Sequence, residues 1–126
     1  MKDFTELQVL YVDDSPTMRR IIKNSLVTIG FVNHTGANNG VDALEKLEEI
    51  EVDLIVTDWN MPEMNGEELV RNLRANPKYK DTPILMVTTR GVKDDVITAV
   101  KTGVSGYVVK PFTIDILKAK IKDILK

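Results

Sequence analysis

Asp13, Asp14, Asp58, Thr88 and Lys110 lie far apart in the chain, yet they stand at the ends of short apolar runs. The runs are Val9-Leu10-Tyr11-Val12, Leu54-Ile55-Val56-Thr57, Pro83-Ile84-Leu85-Met86-Val87 and Gly106-Tyr107-Val108-Val109. Apolar runs with no polar face suit strands buried on both sides of a parallel sheet. Such a sheet brings the carboxyl ends of its strands to one edge, where ligands collect. A lone aspartate at a strand end more often opens a turn. Here several functional groups from different strands converge, and the cluster defines a site. Three crowded carboxylates repel one another and raise at least one pKa unless a cation neutralises them. The chain has no cysteine and a single histidine, His34, so the donors are oxygens. Oxygen donors of this kind favour Mg²⁺, which keeps several waters and accepts a phosphoryl oxygen. Lys110 adds a positive point charge and Thr88 a hydroxyl, both suited to holding an incoming anion. These are the parts of a phosphoryl-transfer site, with Asp58 as the nucleophile that becomes an aspartyl phosphate.

The elements that must position these groups are legible in outline. Ser15-Pro16 supplies a capping residue and a proline at the first helical position, where its missing N–H costs nothing. The helix that follows carries Met18, Ile21, Ile22, Ser25 or Leu26, and Ile29 as its apolar stripe and stops at Gly30. Arg19 and Arg20 lie off the stripe, which reads as a solvated face. Phe31 to Thr35 reads as a weaker strand near the sheet edge, with His34 a surface residue lacking a partner in sequence. Val41, Leu44 and Leu47 give the second helix its stripe. The loop from Asp58 to Gly66 leads into a third helix with Leu69 and Leu73, ending near Asn76-Pro77. A short helix spans Asp94 to Thr102, with Val96, Ile97 and Val100 as its apolar positions, and Thr113 caps a last one with Ile114, Leu117, Ile121 and Ile124. Strands alternating with helices at this spacing predict a flavodoxin-like, doubly wound α/β fold: a five-stranded parallel sheet in the order 2-1-3-4-5 with five helices on both faces.

Length and composition bound the rest. The 126 residues suffice for one domain over 1–126 with its own core. Hydrophobic residues at 43% and charged residues at 29% exclude a disordered chain. A net charge of -2 gives no general attraction to nucleic acid or to anionic membrane. No apolar run approaches a membrane span and the amino terminus lacks an export pattern, so a cytoplasmic, monomeric protein is expected.

Asp13-Asp14, Asp58-Trp59-Asn60-Met61-Pro62 with Gly66, Thr88, and Tyr107-Val108-Val109-Lys110-Pro111-Phe112 together resemble the response-regulator receiver domain, and within it the single-domain chemotaxis regulators. The resemblance runs from about Val9 to the carboxyl terminus. It implies that Asp58 takes a phosphoryl group from a histidine kinase, and that Asp14, Asp58 and the Asn60 carbonyl ligate Mg²⁺, with Asp13 assisting through water. It further implies that Thr88 and Lys110 contact the phosphoryl oxygens, that Thr88 is coupled to inward rotation of Tyr107, and that the Lys110-Pro111 peptide is cis. The flagellar motor switch protein is the implied partner, on a surface of Lys93, Val96, Val100, Tyr107 and Lys120, with a phosphatase as a further candidate. Arg90 departs from the family's best-known member, which carries an acidic residue there, and Gly91 loosens the same loop. The main rival is a phosphorelay shuttle that passes its phosphoryl group to another histidine protein. A Mg²⁺-dependent phosphohydrolase is disfavoured because no second acid or base stands in the motif beside Asp58. An FMN-binding flavodoxin is disfavoured because the turn after the first strand is acidic and would repel phosphate.

Overall fold

A computed structural model of the chain describes residues 3–89 and 93–125, the side chains of 93–95 excepted. Arg90 and Gly91 therefore lie outside the described residues, as does the side chain of Lys93. Five strands and five α-helices alternate among the described residues: β1 Gln8–Val12, α1 Pro16–Ile29, β2 Asn33–Ala37, α2 Gly40–Leu47, β3 Leu54–Asp58, α3 Gly66–Ala75, β4 Ile84–Thr88, α4 Lys93–Thr102, β5 Gly106–Val109 and α5 Ile114–Ile124. The strands form one parallel sheet in the order β2-β1-β3-β4-β5.

The period of two along each strand divides the core between the faces. Leu10, Val12, Ile55, Ile84 and Met86 point to the side covered by α2 and α3, where Leu47, Leu69, Val70 and Leu73 complete the packing. Val9, Tyr11, Leu54, Val56, Leu85, Val87 and Val108 point to the other side, against Ile22, Leu26 and Ile29 of α1 and Leu117 and Ile121 of α5. β3 and β4 are buried along their whole length, as central strands of a doubly covered sheet must be.

The capping residues act as their chemistry predicts. Ser15 Oγ accepts from the Met18 amide, Thr113 Oγ1 accepts from Ile116, and Gly30 closes α1 at a positive φ of 132°. β2 differs from the expected Phe31–Thr35 and runs two residues later. Phe31 is spent in the turn before it, where it is buried and stacks on Phe4 with ring centroids 5.0 Å apart. α4 differs in its inward face. Among its described side chains Ala99 is the buried one, while Ile97 and Val100 are exposed. Val41 of α2 and Ile21 of α1 are likewise exposed rather than part of the core.

One arginine ties the far side of the sheet together. Arg74, in the last turn of α3, donates from Nε to the Gly103 carbonyl at 2.9 Å and from Nη1 to the carbonyls of Tyr79, Lys80 and Thr82 at 2.9, 3.0 and 2.7 Å. Gly103 follows α4 with φ 121°, a conformation that favours glycine.

Candidate active site at the carboxyl edge of the sheet

β1 ends at Val12, and the next residue, Asp13, is wholly buried. Every polar group of Asp13 has a fixed partner. Its amide donates to the Ala37 carbonyl at 3.2 Å, its Oδ1 accepts from the Ser15 amide at 2.9 Å, and its Oδ2 accepts from Lys110 Nζ at 2.8 Å. Arg19 Nη1 donates to its carbonyl at 2.7 Å. Arg19 is thus half-buried and turned to the site, not part of a solvated face. Asp14 is exposed, and among the described residues its carboxylate has no hydrogen-bond or ion-pair partner.

Asp58 closes β3 and is 8% exposed. The Trp59 amide donates to its Oδ1 at 2.8 Å, and its Oδ2 faces Lys110 Nζ at 3.7 Å. Gly66 makes this strand exit possible. Its amide donates to the Trp59 carbonyl at 2.9 Å, and a Cβ there would lie 2.8 Å from the Trp59 Cα and collide with the Asp58 carbonyl, so only glycine lets α3 start so close. Asn65 caps that helix by accepting from the Glu68 amide.

Burial pushes the Asp58 carboxyl above the usual aspartate range. Lys110 opposes the shift, Asp13 adds to it, and the amides of Trp59 and Asn60 oppose it. The expected repulsion between carboxylates is present, but desolvation is the larger cause. Oxygens of Asp13, Asp14 and Asp58 lie within 4.8 Å of one another. An ion with oxygen bonds of about 2.1 Å that keeps some of its waters can bridge that spread. The three carboxylates outnumber the Lys110 ammonium and the Arg19 guanidinium beside them, so the pocket keeps a net negative charge that attracts a cation. The donor set therefore fits Mg²⁺. Both oxygens of Asp13 already accept direct hydrogen bonds, which suits it to act on the metal through water rather than as a direct ligand.

Thr88 ends β4, buried, and its carbonyl accepts from the Lys110 amide at 2.7 Å. This bond fixes the end of β5 beside the site, and the Lys110-Pro111 peptide is cis. A cleft of about 430 Å³ opens next to Lys110 between Met18, Ile21, Thr89, Pro111 and Phe112. Tyr107 stands away from the carboxylates, 36% exposed, with Lys120 Nζ 5.8 Å from its ring centroid. Val100 is 60% exposed and Val96 half-buried on the same flank. His34 pairs with Val9, three residues short of the β1 exit, and leans on the Tyr11 ring at 6.3 Å. It takes no part in the cluster.

The sequence thus brings Asp13, Asp14, Asp58 and Lys110 together as their positions predicted. Asn60 follows directly on Asp58 and Trp59, exposed, with its amide toward Asp58. Arg19 is the residue that spacing alone misses. Its role depends on reaching a carbonyl six positions back, and an arginine off a helical stripe carries no signal of that.

Comparison with known proteins agrees with this geometry. The family model for the response regulator receiver domain matches residues 9–122. The chain is 55% identical to a chemotaxis protein CheY homolog of Campylobacter jejuni, over 94% of this chain and 92% of that one. It is 51% identical to chemotaxis protein CheY1 of Helicobacter pylori, covering 94% and 97%. Among solved structures, chemotaxis response regulator CheY4 of Vibrio cholerae superposes with a TM-score of 0.88 at 35% identity, covering 94% and 98%.

Proposed function

The chain belongs to the response regulator receiver domain family, as a CheY-type chemotaxis regulator, and from that premise we propose that it is a switch set by phosphorylation of Asp58. The observation that carries the reading is the Asp58 carboxylate itself. One oxygen is held by the Trp59 amide, while the other faces Lys110 inside a three-carboxylate pocket.

In this reading Asp58 Oδ2 attacks the phosphorus of a phosphohistidine presented by a histidine kinase. The new P–O bond forms as the P–N bond breaks, and the departing imidazole nitrogen takes up a proton. Asp14, Asp58 and the Asn60 carbonyl would hold Mg²⁺, with Asp13 assisting through water, and the bound ion would supply positive charge to the phosphoryl oxygens. Lys110 is already aimed between Asp13 and Asp58 and needs only a small reach to a phosphoryl oxygen on Oδ2. Thr88 offers its hydroxyl from the neighbouring strand. The apolar rim of Met18, Ile21, Pro111 and Phe112 gives a protein donor a surface to seat on beside the nucleophile. Preorganised charge, rather than a general base, does the catalytic work, because an ionised carboxylate needs no proton removed.

Phosphorylation then draws Thr88 toward the new oxygens and lets Tyr107 leave its place beneath Lys120. The surface of Lys93, Val96, Val100, Tyr107 and Lys120 changes shape, and the flagellar motor switch protein reads it in the cytoplasm. The test is incubation with Mg²⁺ and a small phosphodonor, followed by mass spectrometry to locate the added phosphoryl group. Modification of Asp58, and none in Asp58→Asn, is expected; undiminished labelling of that variant would sink the assignment. Binding of the phosphorylated form to a motor switch protein separates the switch from a phosphorelay shuttle, which would instead pass its label to a histidine phosphotransfer protein.

A further inference from the structure

Asp14 depends on its backbone for its aim. Its carboxylate is exposed and has no partner among the described residues, so no side-chain contact holds it, and the peptide that joins it to Asp13 is what sets where its Cα–Cβ bond points. The carbonyl of that peptide is the one that Arg19 Nη1 holds at 2.7 Å. The Arg19 amide donates in turn to the Ser15 carbonyl at 2.9 Å, and the Ser15 amide holds Asp13 Oδ1 at 2.9 Å. The Asp13-Asp14 peptide is thereby hung from the first turn of α1, and a rotation of its plane would swing the Asp14 carboxylate. Accepting on the carbonyl side also leaves the carboxylates themselves free of the guanidinium, which would otherwise compete with a metal ion.

We propose that Arg19 is a positioning residue for the metal pocket, fixing the Asp13-Asp14 peptide so that Asp14 presents its carboxylate to a divalent cation. The inference rests on the reading of Asp13, Asp14 and Asp58 as the Mg²⁺ site. It is separable from a charge effect because the two have opposite signs. A cation beside the pocket repels Mg²⁺, so by charge alone its removal tightens binding; by positioning, its removal weakens binding. Losing a group that orients a metal ligand typically costs tenfold or more in affinity.

The test is titration of the protein with Mg²⁺, and separately with Mn²⁺, followed by the emission of Trp59. This is the only tryptophan, and its amide bonds Asp58. Arg19→Met, which keeps the apolar stem, should bind roughly tenfold more weakly, and Arg19→Lys, which keeps the charge and a donor, should recover much of the loss. Circular dichroism in metal-free buffer establishes that each variant is folded, and Arg19→Gln replaces Arg19→Met under the same criterion if the latter is not. Equal or tighter binding by Arg19→Met would overturn the inference alone, as would an Arg19→Lys no tighter than Arg19→Met. A parent that binds neither ion, or an Asp14→Asn variant that binds both as the parent does, would sink the pocket reading and this inference with it.

Discussion

α1 and α4 flank the same sheet edge but are held to it very differently. α1 buries Ile22, Leu26 and Ile29 along its 14 residues, and its cap Ser15 and its Arg19 bond to the acidic loop. α4 has 10 residues, and among its described side chains it buries only Ala99, leaving Ile97 and Val100 exposed. Burying one large aliphatic side chain is worth about 1.5–3 kcal/mol, and a methyl far less. A rearranged hydrogen bond near Thr88, worth about 1 kcal/mol, is small beside the side-chain burial that holds α1 and comparable with the burial of Ala99 among the described side chains of α4. Under the proposed function, chemistry falls on the rigid flank and output on the loose one, which is the division a switch needs.

The contrast can be broken first in the cores of the two helices. Leu26→Ala should cost about 2–5 kcal/mol of unfolding free energy, whereas Ala99→Gly should cost about 1 kcal/mol, both read by urea denaturation. Equal costs would mean that α4 is held as firmly as α1.

A smaller effect sharpens the other side of the comparison, because the rigid pocket stores an electrostatic penalty. With its pKa raised by burial, Asp58 keeps its proton in the folded state to higher pH than in the unfolded chain. Below the ordinary aspartate range both states are protonated and the group contributes nothing. As pH rises through that range and up to the folded pKa, the unfolded chain binds fewer protons, so stability falls, and a penalty stands at neutral pH. Asp58→Asn should therefore be more stable than the parent in metal-free buffer at neutral pH, with the two curves converging below about pH 4. Saturating Mg²⁺ should then favour the parent. Thermal unfolding across pH, with and without the ion, checks both signs; a variant no more stable than the parent at neutral pH would remove the penalty from the pocket.

The smallest stability effect belongs to the loose flank. Val100→Ser should change stability by no more than about 0.5 kcal/mol while weakening capture of a motor switch protein by the phosphorylated chain. A large loss of stability would show that Val100 packs inward after all.

What could be read from sequence divides along physical lines. Asp13, Asp58, Thr88 and Lys110 were legible because each ends an apolar run and parallel strands must end together. Ser15, Gly30 and Thr113 were legible because capping is local chemistry. β2 was misplaced because Asn33-His34-Thr35-Gly36-Ala37 pairs on one side only and needs no apolar run, while Phe31 resembled a strand residue and serves as a plug against Phe4. The helical pattern of α4 marked Val96, Ile97 and Val100 as apolar but could not say which faced inward, because exposed and buried apolar residues look alike in such a pattern. Arg19 and Arg74 were opaque because both satisfy carbonyls brought near only by the fold.

Arg74 has a mechanical consequence. By gripping the Gly103 carbonyl together with three carbonyls of the loop after α3, it pins one end of α4 as a hinge pin fixes a lever. Ten helical residues make a rod about 15 Å long. A tilt of about 10° about the pin carries the Lys93 end roughly 2.6 Å, while Val100, about 4.5 Å from the pin, travels less than about 1 Å. Any swing of α4 would therefore open the proposed partner surface like a jaw, wide beside Lys93 and nearly closed beside Val100, and a partner seated there would meet a change of angle more than a change of position.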